Sequence, residues 1–370
     1  MIEWSPTKIA AFQKTLLNWY DHNKRDLPWR HGHDPYHVWI SEIMLQQTQV
    51  QTVIPYYQRF MKKFPTVQAL AVADESDLMK AWEGLGYYSR ARNLQKAARQ
   101  LVEDYDGQWP TTAKELQNLS GIGPYTAGAI ASIAFNQPVP AVDGNAFRVF
   151  SRLLEIDADI AKPQSRRIFE KAIQPLMPKD RPGDFNQAIM DLGTSYMSAT
   201  NYDSEHSPVK AFNQAYLDGV EDHYPVKTKK KRPVPVKYFG LISRSEKGFL
   251  FEKRPSNGIL SGFWMFPLIK ADELPVKPAA SEKTVLATLE KQFLETYQLP
   301  IHVKKLAGQP VSHTFTHQKW QIILLETTLS SQVDLSFFPG KWIPEAEFSD
   351  VAFTKVQSKM WARYQAETRY

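Results

Sequence analysis

The chain has 370 residues, with 45 Lys and Arg against 39 Asp and Glu, a formal charge of +6 and no cysteine. That length suits two domains, and the basic excess favours a polyanionic partner without demanding one. The missing cysteines exclude disulfides and thiol chemistry, and no apolar run is long enough to span a bilayer.

The start, Met1-Ile-Glu-Trp4, lacks the charged-then-apolar order of a secretory signal, so a cytoplasmic, nucleoid-associated bacterial protein is expected. Ile9, Phe12, Leu16, Leu17 and Tyr20 recur at helical spacing and predict a helix over 7–20. Similar patterns predict helices at 36–48, 50–63, 74–81, 88–105, 113–118, 125–135, 143–154, 163–177 and 183–196. Asp74 is placed to cap one, and Pro163 suits the start of another. No alternating strand pattern competes before residue 220, so the first 225 residues read as all-α.

Within this region Leu119-Ser-Gly-Ile-Gly-Pro-Tyr-Thr-Ala-Gly128 reads as helix, tight turn, helix. Gly121 and Gly123 permit the backbone angles of a short hairpin, and Pro124 suits the first turn of the second helix. The free N–H groups there form an anion site, for which a nucleic acid phosphate is the natural ligand. Val142-Asp-Gly-Asn-Ala-Phe-Arg148 follows one helix later and sets Asp143 at a turn.

Lys227-Thr-Lys-Lys-Lys-Arg-Pro-Val-Pro235 reads as an exposed, extended linker, either a solubilising joint or a DNA-facing one. Beyond it, strands are predicted at 236–242, 248–254, 301–308, 319–328 and 339–343, with a helix at 281–297. This part is α+β.

The hairpin followed by Asp143 resembles the signature of the endonuclease III-like helix-hairpin-helix DNA glycosylases. Arg25-Asp-Leu-Pro-Trp-Arg30, Val38-Trp-Ile-Ser-Glu-Ile-Met-Leu-Gln-Gln-Thr48 and Trp82-Glu-Gly-Leu-Gly-Tyr-Tyr-Ser-Arg-Ala-Arg-Asn93 resemble its adenine glycosylase branch. Gly258-Ile-Leu-Ser-Gly-Phe-Trp-Met-Phe-Pro267 resembles the Nudix-like domain of the same enzymes. The resemblance implies an all-α helix-hairpin-helix catalytic domain at 1–226, a basic linker at 227–235 and a Nudix-like 8-oxoguanine recognition domain at 236–370. Gln292-Phe-Leu-Glu-Thr-Tyr-Gln298 has too few carboxylates for a metal-binding Nudix helix, so that domain should bind and not hydrolyse.

Glu42 lies between Trp39-Ile40 and Ile43-Met44-Leu45, a setting that raises a carboxyl pKa. Asp143 sits at the positive end of the next helix, which favours its ionised form, and an ordinary N-cap role is compatible with that. The resemblance makes Glu42 the general acid towards adenine and the activator of water, while Asp143 stabilises or attacks the sugar carbon. Asn145 and Tyr125 are their supports, orienting Asp143 or the intermediate. Lysine-bearing relatives attack the sugar through a Schiff base, which a tyrosine at 125 cannot form, so a monofunctional enzyme is implied. Arg25, Trp29, Arg30, Leu45 and Gln187 match residues lining the adenine pocket. Gln47 and Tyr87, with Leu85 nearby, match the wedge that fills the gap left by the flipped base. Gly121, Gly123 and Tyr125 would meet the DNA backbone. Phe315, Thr316 and His317 match the loop that reads 8-oxoguanine; Thr316 stands where the family usually has serine, and Met265 where a glutamate is usual.

The family generally holds an iron–sulfur cluster through four cysteines after a Leu-Gly pair. At that spacing after Leu192-Gly193 stand Met197, Ser204, Ser207 and Asn213, so no cluster, no metal and no other cofactor are expected. Tyr196, Met197 and Tyr202 can be buried there, and Lys210 would remain free for a phosphate. The expected partner is duplex DNA carrying A:8-oxoguanine or A:G, met by a monomer and no membrane. A bifunctional thymine-glycol type glycosylase and a silent mismatch-binding module are the alternatives. Tyr125 and the C-terminal domain oppose the first, and the presence of both Glu42 and Asp143 opposes the second.

Overall fold

A computed structural model describes residues 4–229, 232–255, 257–276, 279–329 and 332–368. Lys230 and Lys231 of the linker, and Met1 to Glu3, lie outside the described residues. The helices of the N-terminal part are α1 (Pro6–Asn23), α2 (Pro35–Leu45), α3 (Val50–Lys63), α4 (Val67–Val72), α5 (Glu75–Ala81), α6 (Ser89–Asp104), α7 (Ala113–Leu116), α8 (Pro124–Phe135), α9 (Gly144–Leu154), α10 (Ser165–Ile173), α11 (Pro182–Ser195) and α12 (Gln214–Leu217). After the linker come β1 (Val234–Ser245), β2 (Gly248–Lys253), β3 (Trp264–Met265), β4 (Leu268–Lys270), α13 (Glu282–Tyr297), β5 (His302–Lys305), β6 (Val311–Thr314), β7 (Gln318–Thr328), β8 (Gly340–Ile343) and α14 (Lys355–Thr368).

The fold class is that of an all-α helix-hairpin-helix domain followed by an α+β Nudix-like domain, and its elements depart from the sequence reading in a few places. Helix α2 ends at Leu45, short of 48, because Gln47 turns to φ 60. Helix α4 spans six residues, too few to display a period, and starts where Thr66 Oγ1 accepts from the N–H of Ala69 at 3.2 Å. Helix α10 starts at Ser165, so Pro163 precedes it. Strands β3 and β4 are too short to read, and β6, as long as β5 and β8, lies outside the predicted strands. Helix α14, not predicted from sequence, carries a sequence trace of its own, the four-residue spacing of buried Val356, Met360 and Tyr364.

The chain forms two compact units. One holds the residues up to Asp74 with Ser89–Lys229; the other holds Glu75–Tyr88 with the chain beyond the linker. In the first, α1 sends Phe12, Leu16 and Tyr20 onto Val149, Phe150 and Leu153 of α9 and Phe185, Ala188 and Leu192 of α11. The spacing of these residues puts one face of each helix into a common core.

In the second unit β1 and β7 run parallel from Val234↔Gln318 to Ser243↔Thr327, flanked by antiparallel partners. Strand alternation sorts the side chains to two faces. Ile242, Phe249 and Phe251 join Val356 and Met360 of α14, whereas Leu241 and Leu250 join Leu289 and Phe293 of α13. Among the described residues no helix is long and apolar enough to cross a membrane.

Candidate active site

Helix α2 buries both its faces, and that is why Glu42 sits only 5% exposed within it. Asp34 starts the helix by accepting from the N–H of Tyr36 at 2.8 Å. At the other end Arg90 of α6 donates through Nη1 to the carbonyls of Ile43 (2.6 Å), Met44 (3.1 Å) and Gln46 (2.8 Å). Those carbonyls have no helical partner, so a buried guanidinium both satisfies them and favours the negative helix end.

The hairpin between α7 and α8 brings Tyr125 over Glu42. Gly121 turns at φ +76, and a Cβ there would meet Asn93 Cβ at 2.7 Å, so glycine is required. Gly123 differs from the reading: it is extended at φ −87 and ψ 177, and an added Cβ would meet nothing within 4 Å. Its turn needs no special angle; as N-cap without a side chain it leaves the α8 N-terminus uncovered. The Tyr125 hydroxyl donates to Glu42 Oε2, not to Asp143, because α8 packs along α2.

Asp143 is the N-cap of α9. Its Oδ1 accepts from the N–H of Ala146 at 2.7 Å and its Oδ2 from Asn145 Nδ2 at 2.6 Å. Arg148 donates in turn to Asn145 Oδ1 and to the carbonyls of Gly193 (3.0 Å) and Met197 (2.9 Å). Gly193 lets α11 approach α9, since a Cβ there would lie 2.6 Å from Asn145 Cβ.

The two carboxyls have unlike surroundings. Burial pushes Glu42 up to about 7; the Tyr125 bond opposes this, the Asp143 charge adds to it and Arg30 opposes it. Burial also raises Asp143 above its ordinary value, against the bonds from Ala146 and Asn145. Both face one cavity of about 1330 Å³ that is also lined by Arg25, Trp29, Arg30, Leu45, Gln47, Gly121, Gly123, Tyr125, Asn145 and Gln187. Every candidate of the first unit thus meets in one concavity.

One wall of that cavity rests on a residue the sequence reading missed. Asp191, 2% exposed, accepts from Arg25 Nε at 2.8 Å and from Arg30 Nη1 at 2.7 Å. Its signal was the position four residues after Gln187 on α11, which shares that residue's face. Trp29 is held edge-on to Tyr57 at 5.3 Å.

The remaining candidates lie in the second unit. Gly84 (φ 95), Gly86 (φ 71) and Tyr87 (φ 48) shape a tight loop that buries Leu85 and leaves Tyr87 48% exposed. The Tyr87 hydroxyl lies 3.2 Å from Thr316 Oγ1. Phe315 packs its ring on His313 (4.6 Å) and Trp320 (4.7 Å), while Thr316 and His317 are exposed. Met265 is fully buried among Phe251, Phe266 and Ile343.

The loop after Leu192-Gly193 does not fit an iron–sulfur cluster. Asn213 Nδ2 donates to Ser204 Oγ (3.0 Å) and Glu221 Oε1 (2.9 Å), and Ser204 donates to the same Glu221. Hydroxyl and amide groups already committed to each other are poor iron ligands. Met197 and Tyr202 pair as a backbone bridge under the guanidinium of Arg152, 4.6 Å from the Tyr202 ring. Lys210 is not free: it pairs with Glu205 at 3.0 Å. Among the described residues no three His, Asp or Glu side chains gather as a metal site.

The HhH-GPD superfamily base excision DNA repair protein model matches residues 40–175, and the NUDIX domain model matches residues 238–363. Fold and site together define a base-excision DNA glycosylase with a Nudix-like domain. Adenine DNA glycosylase of Rattus norvegicus is 35% identical over 98% of this chain and 79% of its own length. That of Homo sapiens is 34% identical over 97% and 75%, and that of Buchnera aphidicola subsp. Baizongia pistaciae 39% over 70% and 73%. The chain belongs to the adenine DNA glycosylase family. A thermostable thymine-DNA glycosylase structure aligns with a TM-score of 0.51 at 27% identity, covering 57% of this chain and 98% of that one. A trapped endonuclease III–DNA covalent intermediate aligns at 0.50 and 22% identity over 59% and 99%, a likeness of fold.

Proposed function

We propose that this enzyme hydrolyses the N-glycosidic bond of adenine paired with 8-oxoguanine or guanine in duplex DNA, without cutting the strand. The observation that carries it is the pair Glu42 and Asp143, two carboxyls in one cavity with different hydrogen-bond partners. Adenine leaves poorly as an anion, so it needs a proton. Glu42, pushed up to about 7, holds one near neutral pH. The sugar develops positive charge as the bond breaks, and Asp143, fixed from both oxygens, faces that charge without having to reorganise. Asn145 orients Asp143, and Tyr125 orients Glu42.

Arg25, Trp29, Arg30, Leu45 and Gln187 surround the extruded base. Gln47, Leu85 and Tyr87 occupy the gap in the duplex, Gly121, Gly123 and Tyr125 contact the strand backbone, and Phe315, Thr316 and His317 read the opposite 8-oxoguanine. The division into 1–226, 227–235 and 236–370 assigns catalysis to the first part and lesion reading to the last. The enzyme acts as a monomer in the bacterial cytoplasm, at the nucleoid, with no iron–sulfur cluster. Tyr125 supplies no amine, so no Schiff base forms.

A duplex with one A:8-oxoguanine pair tests the reading. Strand scission should require alkali after incubation, and borohydride should trap no covalent adduct. Retention of the adenine, or a trapped adduct in good yield, overturns it.

A further inference from the structure

Tyr20 of α1 is 2% exposed and is not among the residues lining the cavity. Its hydroxyl donates to Gln187 Oε1 at 2.8 Å. The Arg30 guanidinium lies 5.8 Å from the centre of its ring and is itself paired with Asp191, one helical turn beyond Gln187. Arg30 thus ties the Tyr20 ring to α11 through Asp191, and the hydroxyl ties it to the same helix through Gln187. Burial pushes the Tyr20 hydroxyl up to about 12, so it remains a donor at any working pH.

An amide can be turned in two ways, with its oxygen or its nitrogen towards Tyr20. Turned the second way, the buried phenolic proton loses its acceptor, and it has no other among the described residues. An unmet buried donor biases the equilibrium by roughly tenfold or more. The favoured orientation leaves Nε2, without a partner among the described residues, as a donor at the cavity and one Oε1 lone pair as an acceptor.

We propose that Tyr20 is a positioning residue that fixes the Gln187 amide in the orientation that reads adenine and rejects hypoxanthine. The proposal rests on the reading of Gln187 as a base-pocket residue. Adenine offers a ring-nitrogen acceptor beside an amino donor, which matches Nε2 and Oε1 as a pair. Hypoxanthine carries an oxygen in place of the amino group. On either edge that oxygen faces Oε1, acceptor against acceptor. On the N1–O6 edge the flipped amide would suit hypoxanthine, donating to O6 and accepting from N1–H, and Tyr20 opposes that flip.

The test is the ratio of single-turnover excision rates for adenine and hypoxanthine, each opposite 8-oxoguanine in the same duplex. Tyr20→Phe should lower the ratio roughly tenfold. Gln187→Leu should lower it too, and adding Tyr20→Phe to Gln187→Leu should change it no further, because Tyr20 acts through the amide. A purely structural Tyr20 slows both bases together and leaves the ratio unchanged, which overturns the proposal. Should Tyr20→Phe not fold, Tyr20→Met fills similar apolar space without a donor and carries the same test. If Gln187→Leu keeps the wild-type ratio, the base-pocket reading of Gln187 fails. If only Tyr20→Phe keeps it, the Tyr20 proposal alone fails.

Discussion

The Tyr125 hydroxyl donates to Glu42 Oε2 and so joins the first turn of α8 to the interior of α2. This bond favours the ionised carboxyl and offsets part of the desolvation that pushes Glu42 up to about 7. Excision that needs protonated Glu42 should decline as pH rises through about 7. Tyr125→Phe removes the offset, so the decline should move to higher pH. A pH profile of single-turnover excision checks this, and a limb displaced towards acid contradicts it.

The same shift makes a statement about stability. The folded pKa of Glu42, about 7, exceeds its ordinary 4.5, so its contribution is complete below about 4.5 and is lost as pH rises through 7. Glu42→Gln escapes that loss. The variant should melt higher than wild type at pH 8.5, by a margin equivalent to at most roughly 3 kcal/mol, and the margin should close towards pH 5. It should still bind the duplex and fail to release adenine. Calorimetry at the two pH values, with a binding assay beside it, checks both halves.

Asp143→Asn separates the structural from the chemical role of that residue. Asparagine caps helices as well as aspartate does, so α9 and the melting temperature should be kept. Loss of charge at the sugar should cost about 10²-fold or more in excision rate. Asp143→Ala should lose the same activity and also about 1 kcal/mol of stability, since the bond to the N–H of Ala146 disappears. Equal stability of the two variants in a thermal melt would refute the capping half.

The parts of this site written in local pattern were legible in the sequence. Glu42 sits in an apolar run, and Asp143 stands at a turn before a helix; each has a short-range physical signature. The long-range pairings behind the site were not legible. Arg25 and Asp191 are 166 residues apart and Tyr20 and Gln187 167 apart, so no periodicity couples them. Arg90 and Arg148 act on backbone carbonyls, which carry no residue type to recognise. Lys210 looked free because its partner Glu205 is five residues away across a turn and not on a helix face. In the second unit, β3 and β4 exist only through pairing with longer strands, a tertiary effect that segments of two and three residues cannot announce.

Phe315, Thr316 and His317 should divide under mutation. Phe315 is packed against Trp320, so Phe315→Ala should lower the melting temperature of its unit. His317→Ala and Thr316→Ala alter exposed groups and should leave stability within about 0.5 kcal/mol. Their effect should be a lower preference for A:8-oxoguanine over A:G. Rates on the two duplexes measure it, and an unchanged preference in both variants would remove this loop from lesion reading.

The loop at 194–213 provides the remaining test, because a cluster-bearing loop is tied by metal bonds, whereas hydrogen bonds link the side chains of this one. Asn213 is fully buried, and its amide spans three groups: Ser204, Glu221 and the N–H of Tyr216. Glu221 accepts from both Ser204 and Asn213, so its carboxylate is the acceptor on which the knot converges. Asn213→Ala leaves that carboxylate short of a donor and uncaps α12, at a cost of about 2–4 kcal/mol. Arg148 reaches the Met197 carbonyl and Asn145 together, so a loosened loop should also reach Asp143 and slow excision. Chelators should change neither the melting temperature nor the rate of the wild type, and elemental analysis should find no stoichiometric iron. Stoichiometric iron, or an Asn213→Ala variant as stable as wild type, would show that something other than this hydrogen-bonded knot holds the loop.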